Sequence, residues 1–215
     1  GGYTETNGLS HAMYAGGGNF QLATIVRDCV FKNNTAHREG GGVYGGQLFN
    51  CLITSNTVTG EGNPITFGHG GGANLAFLTD CIVSDNVAGQ RGGGVYDCTV
   101  DRSVITRNFT ISGGGVNRGF VKNSAVYNNR SLELGGGAVR ATLVNCTVGG
   151  NASVIGGGGL YASTSINSIV YFNASGSGFG NDLFDSFPQN TCSRDVTHGV
   201  NGNITNNPQL VSTFY

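Results

Sequence analysis

The chain has 215 residues, a length that suits one domain with a substantial core. Glycine supplies 39 of them, more than twice the average usage of about 7%. Only 11% of the residues are charged and the formal net charge is -1, so the chain offers no basic surface for nucleic acid. It contains no apolar run of about 18 residues that would span a bilayer. It opens on glycine-rich sequence without a signal segment, and we interpret it as a piece of a longer polypeptide.

A triple glycine recurs at intervals of 24, 30, 22, 21, 22 and 22 residues, a period typical of solenoids. Within each unit a cysteine or serine comes five residues before an asparagine, and the longer first unit keeps this step from Cys29 to Asn34. The triplets begin at Gly16, Gly40, Gly70, Gly92, Gly113, Gly135 and Gly157. The asparagines are Asn34, Asn56, Asn86, Asn108, Asn129, Asn151 and Asn173.

Between these markers, short runs of β-branched and small residues alternate with polar ones, as in strands joined by tight turns. The pattern predicts an all-β right-handed parallel β-helix of about seven regular coils, with equivalent residues stacked about 4.8 Å apart. We expect one domain over 1–215. Its parts are an irregular segment at 1–15, regular coils at 16–175 and a closing, cap-like segment at 176–215.

The asparagines and glycines have a structural explanation in this fold. An asparagine tolerates the left-handed backbone of a turn, and its amide can pair with the asparagines of the coils above and below. Glycines allow bends at which a Cβ atom would clash. No phosphate-binding GxxxxGK[ST] motif is present, so we predict a structural asparagine ladder along one corner of the solenoid.

Oppositely charged residues share positions in neighbouring units, as stacking in register predicts. Such pairs contribute about 0.2–1 kcal/mol each across strands. The four predicted pairs are Asp80 with Arg102, Asp85 with Arg107, Asp97 with Arg118, and Asp101 with Lys122.

Parallel β-helices often host polysaccharide lyases and glycoside hydrolases, which need acids that are free to titrate or to bind calcium. A basic neighbour would lower the pKa of each paired aspartate and remove it from acid catalysis. Asp182, Asp185 and Asp195 follow the last regular coil, where no register brings them together. We therefore predict no catalytic residue, metal or cofactor. A polysaccharide-degrading enzyme that uses Asp97 or Asp101 is the alternative.

Four of the six cysteines share one position with serine, which indicates a small, inward-facing slot. Stacked side chains keep their Cβ atoms wider apart than a disulfide prefers. The sequence contains no CxxC motif of the kind that binds zinc. We expect free buried thiols, and a bridge at Cys98 or Cys192 remains open.

The 30-residue unit carries an insertion around Thr59 to His69. Insertions in solenoids form loops, often on a binding face, so Glu61, Phe67 and His69 are candidates for a small recognition tip. A passive bulge is the alternative. Among the seven N-x-[ST] sequons, Asn33 and Asn203 are the favoured glycosylation sites, because amides in the ladder face inward.

The "GGGVY" units and the cysteine-to-asparagine step, as in "CLITSN", resemble the repeats of polymorphic outer-membrane proteins and related bacterial surface β-helices. The segment from Asn167 to Val211, with "GNITNNPQL", resembles the closing coils of secreted choice-of-anchor β-helix proteins, with Asn207 where aspartate is usual. The resemblance implies a secreted or surface-displayed β-helix, and it supplies no catalytic residues.

These observations lead to three functional hypotheses. The first is a non-catalytic extracellular β-helix that serves as a structural, adhesive or filament-forming element, with another copy of itself or surface glycans as partners. The second is the polysaccharide-degrading enzyme, and the third is a glycan-binding module that uses the inserted loop. We expect neither a nucleic-acid partner nor a transmembrane segment.

Overall fold

The computed structural model describes residues 15–60 and 68–210. The chain winds into about eight turns, and a complete turn contributes one short strand to each of four sheets. Every strand pairs in parallel with the equivalent strand of the next turn. The predicted all-β right-handed parallel β-helix is therefore confirmed.

Two of the sheets have eight strands each. Sheet 1 comprises Gly18–Asn19, Val43–Tyr44, Ala73–Asn74, Val95–Tyr96, Val116–Asn117, Ala138–Val139, Leu160–Tyr161 and Leu183–Phe184. Sheet 2 comprises Ile25–Arg27, Gln47–Phe49, Phe77–Thr79, Thr99–Asp101, Phe120–Lys122, Thr142–Val144, Thr164–Ile166 and Phe187–Gln189.

The other two sheets have seven strands each. Sheet 3 comprises Val30–Lys32, Leu52–Thr54, Ile82–Ser84, Val104–Thr106, Ala125–Tyr127, Thr147–Gly149 and Ile169–Tyr171. Sheet 4 comprises Thr35–Ala36, Thr57–Val58, Val87–Ala88, Phe109–Thr110, Arg130–Ser131, Ala152–Ser153 and Ala174–Ser175.

The core consists of columns of aliphatic side chains that run along the helix axis. In sheet 2 the middle residue of each three-residue strand points inward, because side chains alternate across a strand. Full burial of each such side chain contributes about 1.5–3 kcal/mol relative to exposure. This column contains Leu48, Leu78, Val100, Val121 and Leu143, all at most 1% exposed.

A residue with left-handed backbone lies at each corner between sheets. At the ladder corner this residue is the one before the asparagine, whereas the sequence pattern predicted the asparagine itself. At the corner before sheet 4, the residue with positive φ precedes the ladder asparagine, so the ladder asparagines do not themselves adopt the left-handed conformation. The left-handed residue bends the chain and leaves its own side chain outside, which turns the next side chain inward. This column contains Asn33, Ser55, Asp85, Arg107, Asn128, Gly150 and Phe172.

The regular stacking extends past residue 175. Strands Leu183–Phe184 and Phe187–Gln189 continue sheets 1 and 2 for one further turn. Beyond these strands, single-residue parallel bridges join Ile169 to Cys192 and Cys192 to Ile204. A short 3₁₀ helix, Val200–Gly202, lies within this terminal segment.

Candidate functional site

The seven ladder asparagines form one continuous row of hydrogen bonds inside the solenoid. In each of the first six, the backbone N–H and the side-chain Nδ2 both donate to Oδ1 of the asparagine one turn later, at 2.9–3.0 Å. Nδ2 also donates to a carbonyl of the preceding turn, as from Asn108 to Val83 at 3.0 Å. All seven side chains are at most 7% exposed, so their amides are structural groups.

The glycine triplets lie against this ladder, and each glycine has its own reason to be there. The first has positive φ from the triplet at Gly40 onward, as at Gly92, where it is 64°, whereas in the first turn Ala15 takes this position with φ of 63°. A Cβ atom on Gly93 would approach the Gly114 carbonyl to 2.5 Å. One on Gly94 would lie 2.6 Å from the Gly115 carbonyl and 2.9 Å from Nδ2 of Asn108. The triplet is thus required by close packing of adjacent turns around the asparagine.

The ladder ends on a buried aspartate that sequence reasoning did not place. Asp182 is 0% exposed, and its Oδ1 accepts from N and Nδ2 of Asn173 at 2.9 and 3.0 Å. Arg194 donates from Nε to its Oδ2 at 2.8 Å, and Asp195 accepts from the backbone N–H of Asp182. The signal was present in the sequence: Gly180 begins a degenerate glycine triplet 23 residues after Gly157.

Two of the predicted charge pairs are bidentate. Arg102 contacts Asp80 through Nε and a terminal nitrogen, both at 2.9 Å, and Arg107 contacts Asp85 in the same way at 2.8 and 2.9 Å. All four residues have left-handed backbone at corners of the solenoid, where their side chains point outward. The arginine therefore lies beside the aspartate at the same corner of the preceding turn. The arginine hydrogen bonds hold the pKa of both aspartates below its ordinary value.

Asp101 is enclosed by three partners. Asn123 donates to it at 2.9 Å, Arg102 lies at 3.0 Å and Lys122 at 3.4 Å. The hydrogen bond from Asn123 is the largest cause of its lowered pKa, followed by the contact with Lys122. A carboxylate stabilised as the anion in this way is a poor general acid at neutral pH.

The predicted pair of Asp97 with Arg118 is not an ion pair in the structure. Both residues occupy the corner between sheets 1 and 2, but the Arg118 guanidinium lies over the Tyr96 ring, 5.8 Å from its centre. The flat guanidinium gains a cation–π contact there. Among the described residues, no cation lies within ion-pair distance of Asp97.

The six cysteines are all free, including Cys98 and Cys192. Four of the five buried thiols donate to the carbonyl two residues earlier, as from Cys81 to Thr79 at 3.3 Å, and the Ser103 hydroxyl makes the same bond to Asp101. This shared bond explains why cysteine and serine alternate in the slot. Burial raises the pKa of Cys81 to about 11 and that of Cys98 to about 12, which keeps these thiols protonated and unreactive.

The structure changes two assignments to surface sites. His69 is only 7% exposed, because its ring stacks on Tyr96 at 4.5 Å, so it is not part of an exposed tip. Glu61 and Phe67, the other residues of that predicted loop site, lie outside the described residues. Asn203 is 3% exposed and bonds to Thr191 and Pro188, which makes it unsuitable as a glycan acceptor, whereas Asn33 is exposed.

A groove that the sequence did not reveal runs beside sheet 1. It has a volume of about 190 Å³ and lies between the residues that precede the glycine triplets and the outer residues of sheet 1 with its corner. Its polar lining comes from the residues around the glycine triplets of four successive turns, so only stacking creates it. That lining includes Gln90, Arg91, Ser112, Glu133, Arg140 and Tyr161.

Comparison with known proteins identifies one segment of the chain. A family model described as the Chlamydia polymorphic membrane protein repeat matches residues 28–46. The predicted resemblance to polymorphic outer-membrane protein repeats is confirmed. The match includes the step from Cys29 to Asn34 and the triplet at Gly40, which are the features that recur in the later turns. No curated protein and no solved structure matches the chain.

The described residues contain neither a cluster suited to a metal ion nor a helix suited to a membrane. Residues 15–60 and 68–210 contain no group of three or more His, Cys, Asp or Glu side chains arranged to bind a metal. Within the same ranges, no helix has the length and apolar character needed to cross a membrane.

Proposed function

We propose that this chain is a non-catalytic extracellular β-helix, displayed at a cell surface as a rigid adhesive element. The observation that carries the proposal is the polymorphic membrane protein repeat at residues 28–46, continued in register through a solenoid of about eight turns. A surface role fits a repeat of that family. The continuous amide row also favours a stiff rod, because each turn is tied to the next.

The bonding of the acids supports a structural role for them. Asp80, Asp85 and Asp101 are each fixed by an arginine, a lysine or an amide, and their pKa values are lowered. Acid catalysis needs a carboxyl group whose pKa is raised toward neutrality. The contacts of these three aspartates therefore favour the adhesive hypothesis over the enzymatic one.

Adhesion is tested with beads coated with the chain and incubated with a panel of cultured cells. We expect attachment to some cell types well above that of beads coated with an unrelated solenoid protein, with competition by the soluble chain. Equal attachment of both bead types to every cell line would contradict the proposal.

The enzymatic alternative is tested separately on a panel of acidic and neutral polysaccharides, with and without Ca²⁺. We expect no release of reducing ends or unsaturated products. Product release that disappears in Asp97→Asn or Asp101→Asn would establish the enzyme instead.

A further inference from the structure

Five of the arginines differ in whether an aspartate binds them. Arg102, Arg107 and Arg194 are bound by aspartates within the solenoid. Arg91 and Arg140 line the groove beside sheet 1, and within residues 15–60 and 68–210 neither has a carboxylate at ion-pair distance. The groove therefore presents two guanidinium groups that no carboxylate binds as an ion pair among the described residues, and the one acid in its lining, Glu133, balances only one of the two charges.

We propose that this groove binds an extended acidic glycan that carries carboxylates on alternate sugars. The inference rests on the proposed adhesive function and names the ligand class for it. Arg91 and Arg140 each bind one carboxylate, since the planar guanidinium fork matches a carboxylate with two parallel hydrogen bonds.

The spacing of the two arginines argues for an extended ligand. Arg91 precedes the triplet at Gly92, and Arg140 follows the triplet at Gly135, two turns later. Two turns advance about 10 Å along the axis, given a strand spacing of about 4.8 Å. An extended ligand that lies along the axis can contact both groups at once. Two consecutive sugars of an extended glycan cover a comparable distance, which places successive uronates at the two arginines.

The remaining lining limits the charge density of the ligand. Glu133 lies in the same groove and is exposed, so a densely sulfated chain would meet a like charge. Gln90 and Ser112 also line the groove, and they supply an amide and a hydroxyl for neutral hydroxyl groups of a sugar. This mixture suits a glycan in which uronates alternate with neutral sugars.

Tyr161 provides an apolar surface in the groove. Its ring is half-buried and packs against Phe184 at 5.7 Å with a tilt of 38°. A ring fixed in this way loses little freedom when a ligand contacts it, and aromatic side chains combine apolar area with a polar tip. It therefore serves as a contact for the apolar face of one sugar.

The experiment measures binding of the full chain to hyaluronan oligosaccharides, in which glucuronate alternates with a neutral amino sugar, by isothermal titration calorimetry. Heparin, dextran and polyglutamate are the comparison ligands. We expect saturable binding of hyaluronan that weakens with added NaCl, because exposed charges are screened. Arg91→Gln and Arg140→Asn should each weaken binding on the order of tenfold, as expected for loss of one charged hydrogen-bonded pair.

Arg130→Gln is the matched control, because Arg130 is exposed on sheet 4 and its replacement removes the same charge elsewhere. The proposal is overturned if this variant weakens binding as much as the groove variants, or if heparin or polyglutamate binds as tightly as hyaluronan. It is also overturned if the acidic glycan does not bind. Beads that still attach to cells in that case would leave the adhesive function standing and locate it elsewhere on the chain.

Discussion

Asn108 shows what an asparagine contributes at a ladder position. Its Oδ1 accepts from N and Nδ2 of Asn86, while its own Nδ2 donates to Asn129 and to the Val83 carbonyl. Only a primary amide supplies two acceptor sites on one atom and two hydrogens on the other. An aspartate would lack the donors, which explains why Asp182 occurs only at the end of the row.

Replacement of Asn108 by alanine tests the ladder. The change leaves two buried donors of Asn86 without an acceptor, each at a cost of about 1–3 kcal/mol, so we expect a loss of about 3 kcal/mol or more. Urea unfolding measures it. The control is Asn145→Gly, at an exposed residue whose positive φ glycine accommodates. An equal loss of stability in the two variants would contradict a stabilising ladder.

The corner carboxylates predict how stability depends on pH. Arg102 and Arg107 lower the pKa of Asp80 and Asp85 in the folded state from an ordinary value of 3.8. Their contribution to stability is therefore fully present above the unfolded-state pKa, and it is lost as the pH falls through the lower folded-state value. We expect the melting temperature of Asp85→Asn to depend less steeply on pH below about 4 than that of the wild type. Parallel curves would show that the pair does not couple to folding.

At the scale of the element, the glycine triplet and the ladder are one packing unit. The second and third glycines contact backbone of the next turn, and the third also contacts the asparagine amide of its own turn. Neither contact leaves room for a methyl group. The two motifs recur together because each needs the other in the same turn.

Gly94→Ala tests this coupling. A Cβ atom at 2.6 Å from a backbone oxygen forces two turns apart, so we expect a loss well above the cost of about 1–2 kcal/mol for one left-handed alanine. Gly178→Ala is the control, since Gly178 has φ of 77° and no atom within 4 Å of the added carbon. Thermal unfolding should separate the variants clearly. Similar melting temperatures would mean that the turns separate at little cost.

The sequence predicted the stacking register but not all of the contacts that exposed side chains make. A fixed period places Val83 beside Ile105 and Asp80 beside Arg102, and both neighbours are found. The period does not say which partner an exposed arginine chooses, and Arg118 lies on Tyr96 instead of Asp97. The groove and the burial of His69 also depend on packing between non-equivalent positions, which a repeat alignment does not compare.

At the scale of the whole molecule, each turn is stabilised by contacts with its neighbours, as in other solenoids. The end turns have one neighbour fewer, so they need a closing segment. The C-terminal end closes through Asp182, Arg194 and the bridges at Cys192 and Ile204. This segment covers backbone that would otherwise form an open edge.

Arg194→Met tests the role of the closing segment. The variant leaves the buried Asp182 carboxylate without its cation, a loss of about 3 kcal/mol or more for a buried pair. We expect faster hydrogen exchange in residues 183–206, with little change in the central turns. The double variant Asp182→Asn with Arg194→Met should recover much of the protection, because the amide oxygen still accepts from Asn173. An equal increase in exchange along the whole chain would contradict a local role for the closing segment.

Asp182 also decides where this rod can change its length in evolution. Within residues 15–60 and 68–210 the strands of each turn pair with those of the adjacent turns, so duplication of a 22-residue unit before Gly157 leaves the pairing at Asp182 unchanged. A unit added after Asp182 would meet a carboxylate with no amide hydrogen to donate, and the row could not continue. Longer and shorter descendants of this chain should therefore differ in the number of units before Asp182 and share the segment that closes the ladder.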